Sequence, residues 1–273
     1  MTGKGGVVDD ERTVYEYHPQ EDEWFKLDKY EYWYFAMAAL NNKLTLVGGR
    51  GSYTKLFQAT SEISVWEKKK KETSYQWTHP YPDMPSRRWS PAVATYNKWL
   101  VVAGGNDGRH ELATVELLNI VTLQWSSMAS LPVNCSHMTA AVVEHELFLV
   151  GGTLNTTLVV SLPDILDSDE SCTTTKTSAQ WRTLHAPTLE RSAAIAFHGS
   201  LLAIGGDHGD VYSTAIHIYQ PDTKKWNKFA DLPTAQSSCS CALLSSGEII
   251  VAGGFDHNGK RTSRIDAAAL PHL

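Results

Sequence analysis

Arg87-Arg88-Trp89 and Arg191-Ser192 are the residues of this chain whose types and spacing best suit recognition chemistry. A guanidinium presents a planar fork of N–H donors that matches a carboxylate, and an adjoining indole supplies the broad contact that binding surfaces concentrate. Turns draw on Gly, Asn, Asp, Pro and Ser rather than Arg, so turn geometry does not account for these arginines. Arg50, Tyr53, Arg109 and Tyr212 lie in comparable connecting segments and join the same candidate set. The neighbouring Asn106-Asp107-Gly108 and Asp256-His257-Asn258-Gly259 read as tight-turn sequences.

Other chemistries find weaker support. His110, His208 and His257 all sit in connecting loops, and three imidazoles converging on one point would hold zinc or copper. They stand at different offsets from the nearest repeat landmark, so no metal or other cofactor is assigned. Cys239 and Cys241 alternate along a strand and share one side, which fits two small buried residues better than a redox pair. Glu190 beside Arg191 is the nearest acid–base candidate, and no catalytic residue is assigned. With 24 basic against 30 acidic residues, the formal charge of −6 argues against nucleic acid and anionic membranes as partners. Lys68 to Lys71, flanked by Glu67 and Glu72, reads as a solvated hairpin tip. Four cysteines in 273 residues make no disulfide framework, and the amino-terminal stretch lacks an apolar signal core. The expected setting is a reduced, cytoplasmic one.

The elements that must position the arginines come from an internal repeat. Five apolar runs end in glycine pairs: Gly48-Gly49, Gly104-Gly105, Gly151-Gly152, Gly205-Gly206 and Gly253-Gly254. Their first glycines are separated by 56, 47, 54 and 48 residues, a period that marks a propeller of four-stranded blades. Each unit reads as strands a to d. In the second, strand a lies near 91–96, strand b at 99–103, strand c near 113–118, and strand d carries Trp125. Strand b is apolar throughout, so both of its faces should be covered. Trp24, Trp77, Trp125, Trp181 and Trp226 each precede a glycine pair at similar distance, and each should cover an adjoining blade. None of the glycine pairs belongs to a phosphate-binding fingerprint; a sharp turn with positive φ explains them.

The apolar-Gly-Gly run, a Tyr, and a Trp seven residues later (Tyr17 to Trp24, Tyr219 to Trp226) resemble the kelch motif, over nearly the whole chain. The resemblance implies an all-β, kelch-type β-propeller in a single domain spanning 1–273, with blade units near 33–80, 90–128, 137–184 and 192–229. Partial units at 1–28 and 238–273 leave two counts: five blades closed by joining the ends, or a six-blade-like ring incomplete at the termini, the second being favoured. The segment 163–180, rich in Ser, Thr and Asp, is expected to be a mobile outer loop. In the kelch family, partner peptides lie across the rim that carries the b–c and d–a loops, and an Arg-Ser ahead of strand a is a recurrent contact. Arg191-Ser192 matches it, and Arg88-Trp89 matches its Arg. The implied function is a non-enzymatic module binding a protein or peptide. Family members often join such a propeller to a domain that engages a ubiquitin ligase; here only the resemblance suggests that link, and no degradation-adaptor role is claimed. The alternative is a galactose-oxidase-like or sugar-isomerase-like propeller enzyme. Trp125→Ala and Trp226→Ala are expected to destabilise the ring, and Arg191→Ala to spare it.

Overall fold

A computed structural model describes residues 13–18, 20–51, 58–69, 74–152, 156–162, 180–185, 190–209 and 211–269. These residues form strands and turns without a helix, and every strand pair is antiparallel. A hairpin of β1 (Thr13–His18) and β2 (Glu23–Lys29) comes first. The first complete blade follows: β3 (Ala36–Leu40), β4 (Lys43–Val47), β5 (Ile63–Lys68) and β6 (Tyr75–Thr78). The second is β7 (Ala92–Tyr96), β8 (Trp99–Ala103), β9 (Val115–Asn119) and β10 (Gln124–Met128). The third is β11 (Met138–Val143), β12 (Glu146–Gly151), β13 (Thr157–Ser161) and β14 (Arg182–Leu184). In the fourth, β15 (Ala193–Phe197) and β16 (Ser200–Ile204) lead into a small loop ribbon, β17 (Asp207–His208) with β18 (Val211–Tyr212). Strands β19 (Ala215–Gln220) and β20 (Lys225–Asp231) complete that blade. A three-stranded sheet of β21 (Ser240–Leu243), β22 (Glu248–Ala252) and β23 (Ile265–Ala269) is last.

The inner strands β3, β7, β11, β15 and β21 lie side by side in that order and line one central cavity of about 390 Å³. The propeller therefore has a five-blade arrangement, which corrects the six-blade-like count that the sequence favoured; among the described residues the β1–β2 hairpin and the β21–β23 sheet remain separate sheets. The segment 163–179 and Tyr53 lie outside the described residues.

Tight a–b turns follow from their residues. Asn41-Asn42 are both left-handed, with φ of 51° and 57°, as the two-residue hairpin turn requires. The b strands β8, β12 and β16 are buried almost throughout, because each is flanked by strands in its sheet and by blades on both faces. Between blades lie separate cores. Leu40, Val47 and Ile63 of the first blade meet Leu100, Val102 and Leu118 of the second. Val101, Val115 and Leu117 meet Leu147, Leu149 and Leu158 of the third.

The d-strand tryptophans seal these seams. Trp125 covers the seam with the blade before it and donates its Nε1–H to the Pro82 carbonyl at 3.2 Å. Trp181 does the same with Ala129 at 3.0 Å. Trp77 packs against the β1–β2 hairpin, and Trp226 against the third blade. Trp24 is the exception. It is 41% exposed and packs tilted against Tyr17, ring centroids 5.0 Å apart, instead of filling a seam.

Positive φ is only half the reason for the glycine pairs. Gly104 and Gly105 have φ of 60° and 96°. A Cβ on Gly104 would collide with the Cys135 carbonyl of the following connection, and one on Gly105 would lie 2.9 Å from the Trp89 carbonyl. The pair is pinched between the connections into two successive blades, so only Gly lets them approach.

Candidate binding face at the channel mouth

Each inner strand is preceded by one non-glycine residue in the left-handed region. These are Tyr34 (φ 54°), Ser90 (47°), His137 (58°), Arg191 (53°) and Ser238 (51°). Their backbones link blade to blade. Ser90 N donates to Tyr34 O at 2.7 Å, His137 N to Ser90 O at 3.2 Å, and Ser238 N to Arg191 O at 2.9 Å. The residue before four of them also bridges to the segment after the glycine pair: Trp33 to Arg50, Trp89 to Asn106, Glu190 to Asp207, and Ser237 to Phe255. The d–a and b–c loops therefore share one rim, with a belt of five bent residues around the mouth. Left-handed backbone at Tyr, His and Arg costs of order 1–3 kcal/mol each and persists where the surroundings over-determine it, as at ligand clamps.

On this belt an aromatic cluster is built from three blades. Trp89 lies 5.5 Å from Tyr34 and 5.4 Å from His137, and Tyr34 lies 6.4 Å from His137. The Arg50 guanidinium sits over the Trp89 ring at 5.6 Å, within cation–π range. Tyr34 is 50% exposed, so the cluster opens to solvent. Burial holds the His137 pKa below the ordinary imidazole value; Glu111 opposes that shift and Arg191 adds to it.

Arg88 stands corrected. Its side chain is completely buried and pairs with Glu116 at 2.7 Å. Nη1 donates to the Gly104 carbonyl at 2.8 Å and the Thr114 carbonyl at 3.3 Å, and Nη2 to Thr114 Oγ1 at 3.1 Å. Its own carbonyl accepts from Gly49 N of the preceding blade. The fork donates to carbonyls after strand b and before strand c of the second blade, while the Arg88 backbone holds the first; the side chain is turned inward and not toward the rim. Ser192 is corrected too, being buried with its hydroxyl donating to the Gly205 carbonyl at 3.0 Å.

Arg191 is half-exposed at the mouth but already engaged. Its Nε lies 3.0 Å and its Nη2 2.5 Å from Asp207 Oδ2, and that carboxylate is fully buried. Arg191→Ala would leave a buried carboxylate without this cation, so the expectation that it spares the fold is withdrawn. Arg87 and Arg109 are exposed, and Tyr212 is half-buried in β18. Arg109 lies in a turn that Asp107 Oδ1 holds by accepting from the backbone amides of Arg109 and His110, two and three residues on, at 2.7 and 2.8 Å. His110, His208 and His257 are exposed, and among the described residues they join no cluster able to hold a metal. Burial pushes the Cys239 and Cys241 thiols up to about 11 and about 12, away from thiolate chemistry.

Sequence reasoning passed over Tyr34 and His137. The signal was positional: both occupy the place of Arg191 in their own repeats, just ahead of strand a.

Fold and mouth together define a kelch-type β-propeller with an arginine- and aromatic-bearing loop face. Residues 34–254 match the KLHDC2/KLHL20/DRC7 Kelch-repeats domain, and the chain belongs to the kelch-repeat family. It is 25% identical over 254 residues to Kelch-like protein 35 of Mus musculus, covering 91% of this chain and 40% of that protein. Kelch-like protein 25 of Xenopus tropicalis is 28% identical over 232 residues, covering 81% and 36% respectively. The chain thus spans well under half the length of these curated relatives. The solved structure of YjhT superposes with a TM-score of 0.72 at 14% identity, covering 93% of this chain and 86% of that one, and so shares the fold.

Proposed function

We propose that this propeller is a non-enzymatic interaction module that captures a peptide segment of a protein partner at the channel mouth. One observation carries the reading: Arg50, Trp89, Tyr34 and His137, from three blades, meet in an open cluster on a belt of bent backbone. Trp, Tyr and Arg are the side chains that dominate interface energetics, and left-handed backbone is kept where geometry serves a ligand. Kinship with proteins named Kelch-like supports the same reading.

The test is selection from a displayed random peptide library, followed by titration of the selected peptide. Loss of Trp89 as a hot spot of ~2 kcal/mol would weaken binding roughly 30-fold in Trp89→Ala, and Arg50→Ala would weaken it as well. Selected peptides whose affinity ignores both substitutions, in folded protein, would move the site elsewhere.

A further inference from the structure

Ser136 Oγ lies 2.7 Å from Glu111 Oε1 and 2.8 Å from His137 Nδ1. A serine hydroxyl has one proton. The Glu111 carboxylate can only accept, so that proton goes to Glu111. The remaining contact is a hydrogen bond only if His137 Nδ1 carries the ring proton and donates it to Ser136 Oγ. Nε2, on the opposite side of the ring, is then left with its lone pair. Ser136 is 1% exposed, so water does not compete for this arrangement. His137 itself lines the central cavity, with Tyr34 and Trp89 against its ring.

We infer that His137 is a specificity-determining acceptor of the mouth: Glu111 and Ser136 hold its Nδ1–H tautomer, and Nε2 accepts a hydrogen bond from an N–H donor of a segment seated against Tyr34 and Trp89. Ser136 and Glu111 are positioning residues that act through the imidazole. The inference rests on the binding reading for its ligand, but the tautomer is a property of the free protein. An acceptor here complements the rim arginines, which are donors only. Together they would select a segment that offers donors as well as acceptors. A group that presents acceptors alone would leave the Nε2 lone pair desolvated and unmatched, at a cost to affinity.

Nitrogen-15 NMR of the histidine-labelled free protein, above the titration range of His137, tests this directly. The expected spectrum shows the Nδ1–H tautomer at His137, and Ser136→Ala returns the ring to the Nε2–H form that free imidazole side chains favour in water. An Nε2–H signature in the wild type, or one that Ser136→Ala leaves unchanged, overturns the inference. The peptide selected above then reads the acceptor: Ser136→Ala, which keeps the imidazole, should weaken it about 3- to 10-fold, the worth of one net hydrogen bond. A tautomer that switches while affinity stays constant refutes the acceptor role. Failure to select any peptide counts against the binding reading and leaves the tautomer assignment standing.

Discussion

Arg88→Ala tests whether an arginine that reads as a binding residue is instead part of the blade seam. The substitution removes the cation from Glu116, whose side chain is only 6% exposed and whose Oε2 has no hydrogen-bond partner among the described residues. It also strips donors from the Gly104 and Thr114 carbonyls. Removing one partner of a buried ion pair costs about 3–5 kcal/mol, because the other charge stays behind without compensation. At roughly 2–4 °C per kcal/mol for a chain of this size, the melting temperature should fall by about 6–20 °C. Equilibrium denaturation at neutral pH measures the loss, and a second variant isolates its cause. Arg88→Leu combined with Glu116→Leu removes both charges and should recover most of the deficit, since apolar replacement of a buried pair is often neutral. A loss below about 1 kcal/mol, or a double variant no more stable than the single one, would refute the seam role.

The other seams and the mouth give three further expected outcomes. Arg191→Ala should cost about 2–3 kcal/mol, less than a fully buried pair because its side chain is 41% exposed, and Asp207→Asn in that background should recover part of it in the same denaturation assay. Trp125→Ala should cost about 2–4 kcal/mol and Trp24→Ala under about 1.5, since only the first fills a seam; parallel thermal melts would show equal losses if the repeat position, not burial, set the cost. His137 has a folded pKa below its ordinary value of 6.5, so the unfolded chain takes up its proton first as pH falls. Its contribution is complete above 6.5 and is lost as pH drops through the folded value, with Glu111, Arg191 and the Asp207 paired to Arg191 as the charged groups nearby. His137→Asn, which tolerates left-handed backbone, should flatten that slope in denaturant midpoints measured from about pH 7.5 to 5.

The architecture was legible because it rests on local, repeated constraints. The glycine pair and apolar b strand recur five times and the seam-filling tryptophan four times, so spacing alone placed β8 at Trp99–Ala103 and Trp125 on the fourth strand. The mouth was legible only in part. The sequence showed where arginines stood, but not that Arg88 turns inward while its neighbour Arg87 remains exposed. That choice depends on the carbonyls of Gly104 and Thr114 and on Glu116, residues 16 to 28 positions away in the chain that only folding brings to the guanidinium. The same holds for Tyr34, Trp89 and His137. Each belongs to a different repeat and is unremarkable alone, and they become one cluster because successive connections meet around a central axis. Periodicity in one dimension determined that blades form and where their strands run; which side chains face each other across blades was decided by the radial arrangement, since burial and hydrogen-bond satisfaction are set between repeats rather than within them.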